Sequence, residues 1–208
     1  MALNEKSENL SFFRHSGADG KFSGTSQALM VRKGAKQEGA RAEGWENRDG
    51  WRLVKGPFRA VAGRNGFVRP GEKREADGRT PSGVFPLEAA FGYARGLSTS
   101  MPYLEIGDEN VWVDDPASPD YNQWKTKGET KALSFEEMHR ADGLYEVGIV
   151  VGYNRNPVVA GLGSAIFFHI WAGEGKSTSG CIGMSREDLL TVLAWLDPLK
   201  NPVAVLGC

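Results

Sequence analysis

Three β-type runs near the amino end lie so close together that only one arrangement can join them. Gln27–Lys33 (QALMVRK), Ala40–Trp45 and Gly50–Val54 are separated by a few residues each, with Gly and an Asn-Arg-Asp-Gly turn signal between them. Spacers that short cannot hold a crossover helix, so the runs pair as an antiparallel meander. Further candidate strands follow at Val84–Leu87, Leu144–Tyr153, Ser164–Ile170 and Val203–Leu206. Helical patterning is confined to two places. Ser134 and Glu137 have the spacing of a capping box that opens a short helix. Arg186–Leu196, capped by Ser185, puts Leu189, Leu190, Val192, Leu193 and Leu196 on one face. The expectation is a mainly β protein with a few helices (α+β): a flexible arm at residues 1–25, rich in Ser, Gly and charge, then a single domain at 26–208. No internal repeat interrupts that reading.

Two long segments lack periodicity: residues 63–83, rich in Gly, Pro and charge, and residues 114–128. Loops of that length inside a compact domain are usually functional or disordered. The composition is that of a globular protein, 40% apolar and 25% charged. A net charge of −1 without a basic block gives no electrostatic footprint for nucleic acid. Apolar runs such as Val147–Tyr153 are too short to span a bilayer. The opening MALNEKSENLSFF has no apolar h-region and is not a signal peptide as written. Two cysteines, Cys181 and Cys208, are too few for a disulfide scaffold.

The chemistry concentrates in 164–184, SAIFFHIWAGEGKSTSGCIGM. His169 stands near the end of an apolar strand, a Gly-rich loop follows, and Ser179-Gly180-Cys181 precedes the capped helix. A thiol attacking a carbonyl must lose its proton, which a neighbouring imidazole accepts. Gly180 allows a tight turn, the amides of Gly180 and Cys181 can face a developing oxyanion, and a helix start close by would favour a thiolate. The plainer reading is that Cys181 is an inert buried thiol and His169 a structural hydrogen-bonder. His15, in the polar arm, and His139, on the short helix, add nothing to the chemistry. Gly175-Lys176-Ser177 resembles the end of a phosphate loop, but Ile170 stands where its first glycine belongs. Gly161-Leu162-Gly163 precedes a strand and lacks the third glycine of a dinucleotide loop. No His/Cys/Asp cluster has metal-ligand spacing, so neither metal nor cofactor is expected.

His169, followed by Thr178-Ser179-Gly180-Cys181-Ile182-Gly183-Met184, resembles the active-site motif of the YkuD family of L,D-transpeptidases. The segments GRNGF (63–67), EKREADGRTPSGVFPL (72–87), AFGYA (90–94), MPY (101–103), VDDPASPDYN (113–122) and GSAIFFHIW (163–171) look like blocks of a bacterial branch of that family, so the likeness covers about 50–206. It departs at two positions. Ser179 stands where a His is usual, and Gly183 where Arg or Asn is usual. The resemblance implies a β-sandwich with mixed sheets, the active site at a strand end and a Gly-Cys turn before a helix.

By the same resemblance, the substrate is a peptidoglycan stem peptide, as donor and as acceptor. Cys181 is the nucleophile, His169 the base, and Gly180 and Ser179 complete the catalytic set; the product is a 3,3 or a 1,3 cross-link through a thioester. A backbone carbonyl is expected to fix the His169 tautomer. Tyr153, Asn154, Trp171 and Arg79 are the candidate substrate contacts, and Lys73 could meet a carboxylate-rich stem. Water as acceptor would make the same site an L,D-carboxypeptidase or amidase, and a dead site would make a wall-binding domain. The substrate implies a periplasmic or exported protein whose signal has been removed, and a monomer is expected.

Overall fold

The computed structural model describes residues 24–35 and 39–207. Nearly all of the arm expected at 1–25, His15 with it, and Cys208 lie outside the described residues. β1 (Gln27–Lys33), β2 (Gly39–Asn47) and β3 (Trp51–Val61) form the antiparallel meander, with Leu29 opposite Gly44 and Ala42 opposite Phe58. Asn47 closes the tight turn between β2 and β3, its Oδ1 accepting the Gly50 N–H at 3.1 Å. β3 runs on past Val54 to Val61.

Residues 63–83 contain two short strands, β4 (Phe67–Val68) and β5 (Thr80–Pro81), which pair in parallel. β6 (Gly83–Gly92) then crosses the molecule, followed by β7 (Tyr103–Glu105), β8 (Asn110–Val113), β9 (Trp124–Thr126) and β10 (Phe135–Glu137). β11 (Val147–Val151), β12 (Phe167–Ile170), β13 (Ile182–Met184), helix α1 (Arg186–Trp195) and β14 (Val203–Leu206) complete the chain. Nine strands form one mixed sheet in the order β11-β12-β13-β3-β2-β1-β14-β6-β7. β6 also pairs with β11, so this sheet closes on itself. β10, β8 and β9 make a separate three-stranded sheet.

Alternation along the strands divides the apolar residues among three clusters, the smallest made by Ala28, Met30, Val203 and Val205 of β1 and β14. Phe168 and Ile182 join Leu29, Ala42 and Ile149 in one, which Leu189, Val192 and Leu193 of α1 complete. Phe167 points the other way, into a second core with Phe91, Trp112, Tyr145 and Cys181. This second core joins the outer side of the large sheet to the three-stranded one. Its rings meet edge to face, Phe167 lying 4.9 Å from Trp112 and 5.3 Å from Phe91 between centroids.

Two expectations change. Ser134 and Glu137 do not open a helix: Phe135–Glu137 pairs with Val111–Val113 as strand β10, and the Ser134 hydroxyl donates to Asp114. Non-local pairing with the apolar β8 outweighs the local capping pattern. His139 therefore follows a strand, where its Nδ1 meets Asp108. The Gly180–Cys181 turn leads first into β13, and α1 begins only after that strand. Ser185 does cap α1, its hydroxyl accepting the Asp188 N–H at 3.1 Å. Among the described residues the other helical pieces are single 3₁₀ turns at Lys127–Glu129 and Pro198–Lys200.

Candidate active site

β12 and β13 run parallel, with Phe168 opposite Ile182 and His169 opposite Gly183. Cys181 immediately precedes β13, so it stands beside Phe167, two residues from His169. In a strand that spacing returns to the same face. Both side chains line one cavity of about 450 Å³.

Cys181 is only 8% exposed. Its Sγ donates to the Ala165 carbonyl at 3.1 Å and accepts the Phe167 N–H at 3.4 Å. Burial, reinforced by the nearby Glu136 carboxylate, pushes the thiol up to about 12. His169 is held by a contact of 2.8 Å between its Nδ1 and the Ile170 carbonyl. A carbonyl only accepts, so Nδ1 carries the proton and Nε2 the lone pair. Burial pulls the imidazole down to about 4. At neutral pH both groups are uncharged. The helix-start effect expected from the sequence does not operate, because β13 separates Cys181 from α1.

The nucleophile's turn is braced from the 63–83 loop. Thr80 Oγ1 donates to the Gly180 carbonyl at 2.8 Å and accepts the Gly63 N–H at 2.9 Å. Thr178 Oγ1 donates to the Cys181 carbonyl at 2.7 Å and accepts the Gly180 N–H at 3.1 Å. Gly180 has φ +152°, and a Cβ there would come within 2.9 Å of the Arg79 carbonyl oxygen. Only glycine meets both conditions without strain. The Gly180 amide, a candidate oxyanion donor, is thus engaged by Thr178. Ser179 is exposed and its hydroxyl accepts from Arg64 Nη1 at 3.1 Å.

Trp171 also lines the cavity and packs against Gly183. A Cβ on Gly183 would meet Val61 Cγ2 at 2.8 Å and Trp171 Cβ at 3.0 Å, so the strand packs closely on both neighbours there. Arg79 is exposed and does not line the cavity; it contributes its backbone carbonyl beneath Gly180 and an N–H to Asp77 Oδ1 at 2.8 Å. Tyr153 and Asn154 line a different groove, of about 830 Å³. The Tyr153 hydroxyl donates to the Leu162 carbonyl at 2.6 Å, and Asn154 Nδ2 donates to Val159 and Gly163 carbonyls at 2.9 and 2.8 Å. Cys181, His169, Gly180, Ser179 and Trp171 therefore share one cavity, and Arg79, Tyr153 and Asn154 stand apart from it.

The same cavity holds further charged groups, of which sequence reasoning singled out Lys73 alone. Glu136, on β10, accepts the Tyr145 hydroxyl at 2.5 Å, and the Tyr145 ring stands edge-on to His169 at 5.2 Å. Glu75 accepts from both the Tyr121 hydroxyl and Ser164 Oγ. Lys73, 3% exposed, is tied to Asp77 at 2.6 Å and to the Arg74 carbonyl at 2.8 Å. The one sequence signal for Glu75 and Lys73 was their place in a long loop without periodicity, and for Glu136 there was none, since its segment reads as helix.

Asn122 ties these parts together. It is 1% exposed and adopts φ +58°. Its Oδ1 accepts from Trp112 Nε1 at 2.8 Å and Ala165 N at 3.1 Å, while Nδ2 donates to the carbonyls of Tyr153 and Asn154. Ala165, so fixed, supplies the carbonyl that receives the Cys181 thiol. Among the described residues no group of three or more His, Cys, Asp or Glu is placed to hold a metal ion, and no helix is long and apolar enough to cross a membrane.

A family model for the L,D-transpeptidase catalytic domain, YkuD, matches residues 40–205. Neither the curated proteins nor the solved structures contain a match to the chain. The matched span runs from β2 into β14 and takes in every residue that lines the Cys181 cavity. The chain belongs to the YkuD family of L,D-transpeptidase catalytic domains.

Proposed function

We propose that the protein joins peptidoglycan stem peptides through a thioester on Cys181, with His169 as the base. The observation that carries this reading is the placement of both residues on one face of two adjacent parallel strands, lining a common cavity. With its Nδ1 proton given to the Ile170 carbonyl, His169 presents Nε2 as the acceptor. Cys181 Sγ releases the Ala165 carbonyl and attacks the carbonyl carbon at an L-centre of the donor stem. Nε2 takes the thiol proton as the carbon–sulfur bond forms, then returns it to the departing amine nitrogen of the D-residue. The Cys181 N–H is the candidate oxyanion donor, and the Gly180 N–H joins it once it turns away from Thr178. An amine of a second stem then displaces the sulfur, forming a 3,3 or a 1,3 cross-link. Trp171 forms part of the wall against which a stem peptide would lie. Because this substrate lies outside the inner membrane, an exported or periplasmic site of action follows from the proposal. Carbapenems, which present a strained amide to the same thiol, would acylate Cys181.

Mass analysis of muropeptides incubated with the purified protein tests the reading. New cross-linked dimers, sequenced to the linkage, are the expected product. Shortened monomers alone would show that water is the acceptor, making the protein a hydrolase with the same thioester. No change in any muropeptide, with Cys181 intact, would overturn the reading.

A further inference from the structure

Cross-linking through a thioester sets a proton problem that hydrolysis does not. The acceptor amine arrives at neutral pH as an ammonium ion. It must lose one proton before it can attack and a second as the amide forms. His169 can carry only one of these, the one it hands to the departing Cys181 sulfur. A second base in the cavity would take that first proton and let the abundant ammonium form of the acceptor react.

Resting on the proposed transpeptidation, we infer that Glu136 is that base: it receives the acceptor ammonium and takes its first proton. Glu136 lines the cavity with Cys181 and His169. It is close enough to Cys181 that, after burial, it is the group that most raises the thiol. Among the described residues, the one hydrogen bond to its carboxylate comes from the Tyr145 hydroxyl, on Oε2. That bond leaves Oε1 for a ligand. Of the cations lining the cavity, Arg140 pairs with Asp142 at 2.5 Å and Lys73 with Asp77 at 2.6 Å, so neither of these two forms an ion pair with Glu136.

The charged and titratable groups that act on Glu136 are Tyr145, Asp114, Arg140 and Glu75. Burial, with the negative charges of Asp114 and Glu75, raises its proton affinity, and Tyr145 and Arg140 oppose that. A carboxylate so raised is a better proton acceptor than one in water. Asp114 and Glu75, lining the same cavity, add attraction for a cation.

The step balances as follows. R–NH₃⁺ and the Glu136 carboxylate give R–NH₂ and the Glu136 carboxylic acid. The amine nitrogen attacks the thioester carbon, and the carbon–sulfur bond breaks. His169 Nε2 takes the second nitrogen proton and delivers it to Cys181 Sγ. The Glu136 acid then loses its proton to solvent. Tyr145 is a positioning residue in this scheme, holding one carboxylate oxygen and packing against His169.

The test follows one acyl-enzyme to two fates. Full-length protein and its Glu136→Gln variant are loaded with the same donor stem, and intact-protein mass spectrometry measures acylation. Partition of the thioester between aminolysis and hydrolysis is then read with an aliphatic ammonium acceptor and with hydroxylamine, which is neutral at pH 7.5. An amine with a lysine-like pKa of about 10.4 is neutral in only about one molecule per thousand at that pH. Glu136→Gln should acylate faster, since an anion beside the thiol is gone. It should lose about 100-fold or more in cross-linking to the ammonium acceptor and hydrolyse the thioester instead, yet keep aminolysis by hydroxylamine, read as the hydroxamate, and recover cross-linking to the ammonium acceptor as the pH is raised toward 10. Tyr145→Phe, which keeps the carboxylate, should show a smaller loss in the same partition. Equal cross-linking to the ammonium acceptor by Glu136→Gln and the parent would overturn the inference. So would an equal loss with both acceptors in Glu136→Gln. Failure of the parent protein to acquire the donor acyl group would instead overturn the proposed function itself.

Discussion

Titrating the reactivity of Cys181 should reveal a thiol that does not ionise until strongly alkaline pH. The perturbation is pH itself, applied to a Cys208→Ala variant so that one cysteine is followed. The Cys181 thiol sits at about 12, pushed there by burial, where an ordinary cysteine sits at 9.0. At pH 7 the thiolate fraction is then on the order of one in 10⁵, against about one in 10² for an ordinary thiol. Iodoacetamide, which needs the thiolate and gains little from His169, should alkylate Cys181 about 1,000-fold more slowly than a free thiol. Its rate should climb about tenfold per pH unit through pH 9. Peptide-resolved mass spectrometry of timed alkylations gives that profile. His169→Ala should barely change it at neutral pH, because the parent imidazole is uncharged there, yet should slow acylation by a carbapenem or a donor stem by at least about 100-fold. A plateau in alkylation beginning below pH 8, lost in His169→Ala, would refute the reasoning. That result would mean a preformed thiolate–imidazolium pair.

The same two groups set the acid and alkaline limits of stability. His169 binds its proton more weakly in the fold, at about 4, than in the unfolded chain near 6.5, so its contribution is complete above 6.5 and is lost as pH falls toward 4. Cys181 binds its proton more tightly when folded, so its contribution is complete below 9 and lost as pH rises toward 12. Thermal unfolding should therefore be hardest between about pH 6.5 and 9, with losses on the order of 3 kcal/mol on the acid side from His169 alone; a His169→Gln protein whose acid limb matches the parent's would contradict this. Asn122→Ala removes the acceptor for Trp112 Nε1 and Ala165 N–H and should cost about 2–4 kcal/mol in urea unfolding. Gly180→Ala places a Cβ against the Arg79 carbonyl and should cost about 1–3 kcal/mol, with a loss of about 100-fold in acylation rate as the sulfur shifts; near-parent kinetics would show that the turn has room.

The meander, α1 with its Ser185 cap, the closing strand β14 and the cysteine–histidine pair were all legible in the sequence. Each rests on a signal that is local or nearly so: short spacers, a 3.6-residue period, a histidine twelve positions before a cysteine. The carbonyl partner of His169 Nδ1 was also expected, since no acidic or amide residue stood out as an orienting group. Glu136 was hidden because its strand exists only by pairing with β8, and Ser134 and Glu137 locally imitate a helix start. The length of β12 shows the converse: Ser164 to Ile166 are as apolar-flanked as the strand, but Ala165 takes φ +51° and ends the pairing. Tyr153 and Asn154 followed a strand thought to border the site. They turn away because Asn122 draws their carbonyls toward β8 and its loop. Which charges converge on the thiol depends on how the three-stranded sheet docks on the large one, a relation no window of sequence contains.

The most direct test of the central claim is to trap the acyl-enzyme. The protein is mixed with a tetrapeptide or pentapeptide stem donor without acceptor, quenched in acid within seconds to minutes, and analysed intact and after digestion. An adduct with the mass of the stem less its departing D-residue, released by hydroxylamine and mapped to the peptide bearing Cys181, is the predicted result, with no adduct in Cys181→Ala and an unchanged one in Cys208→Ala. Turnover of the same donor by Cys181→Ala, or an adduct at another residue, would contradict it.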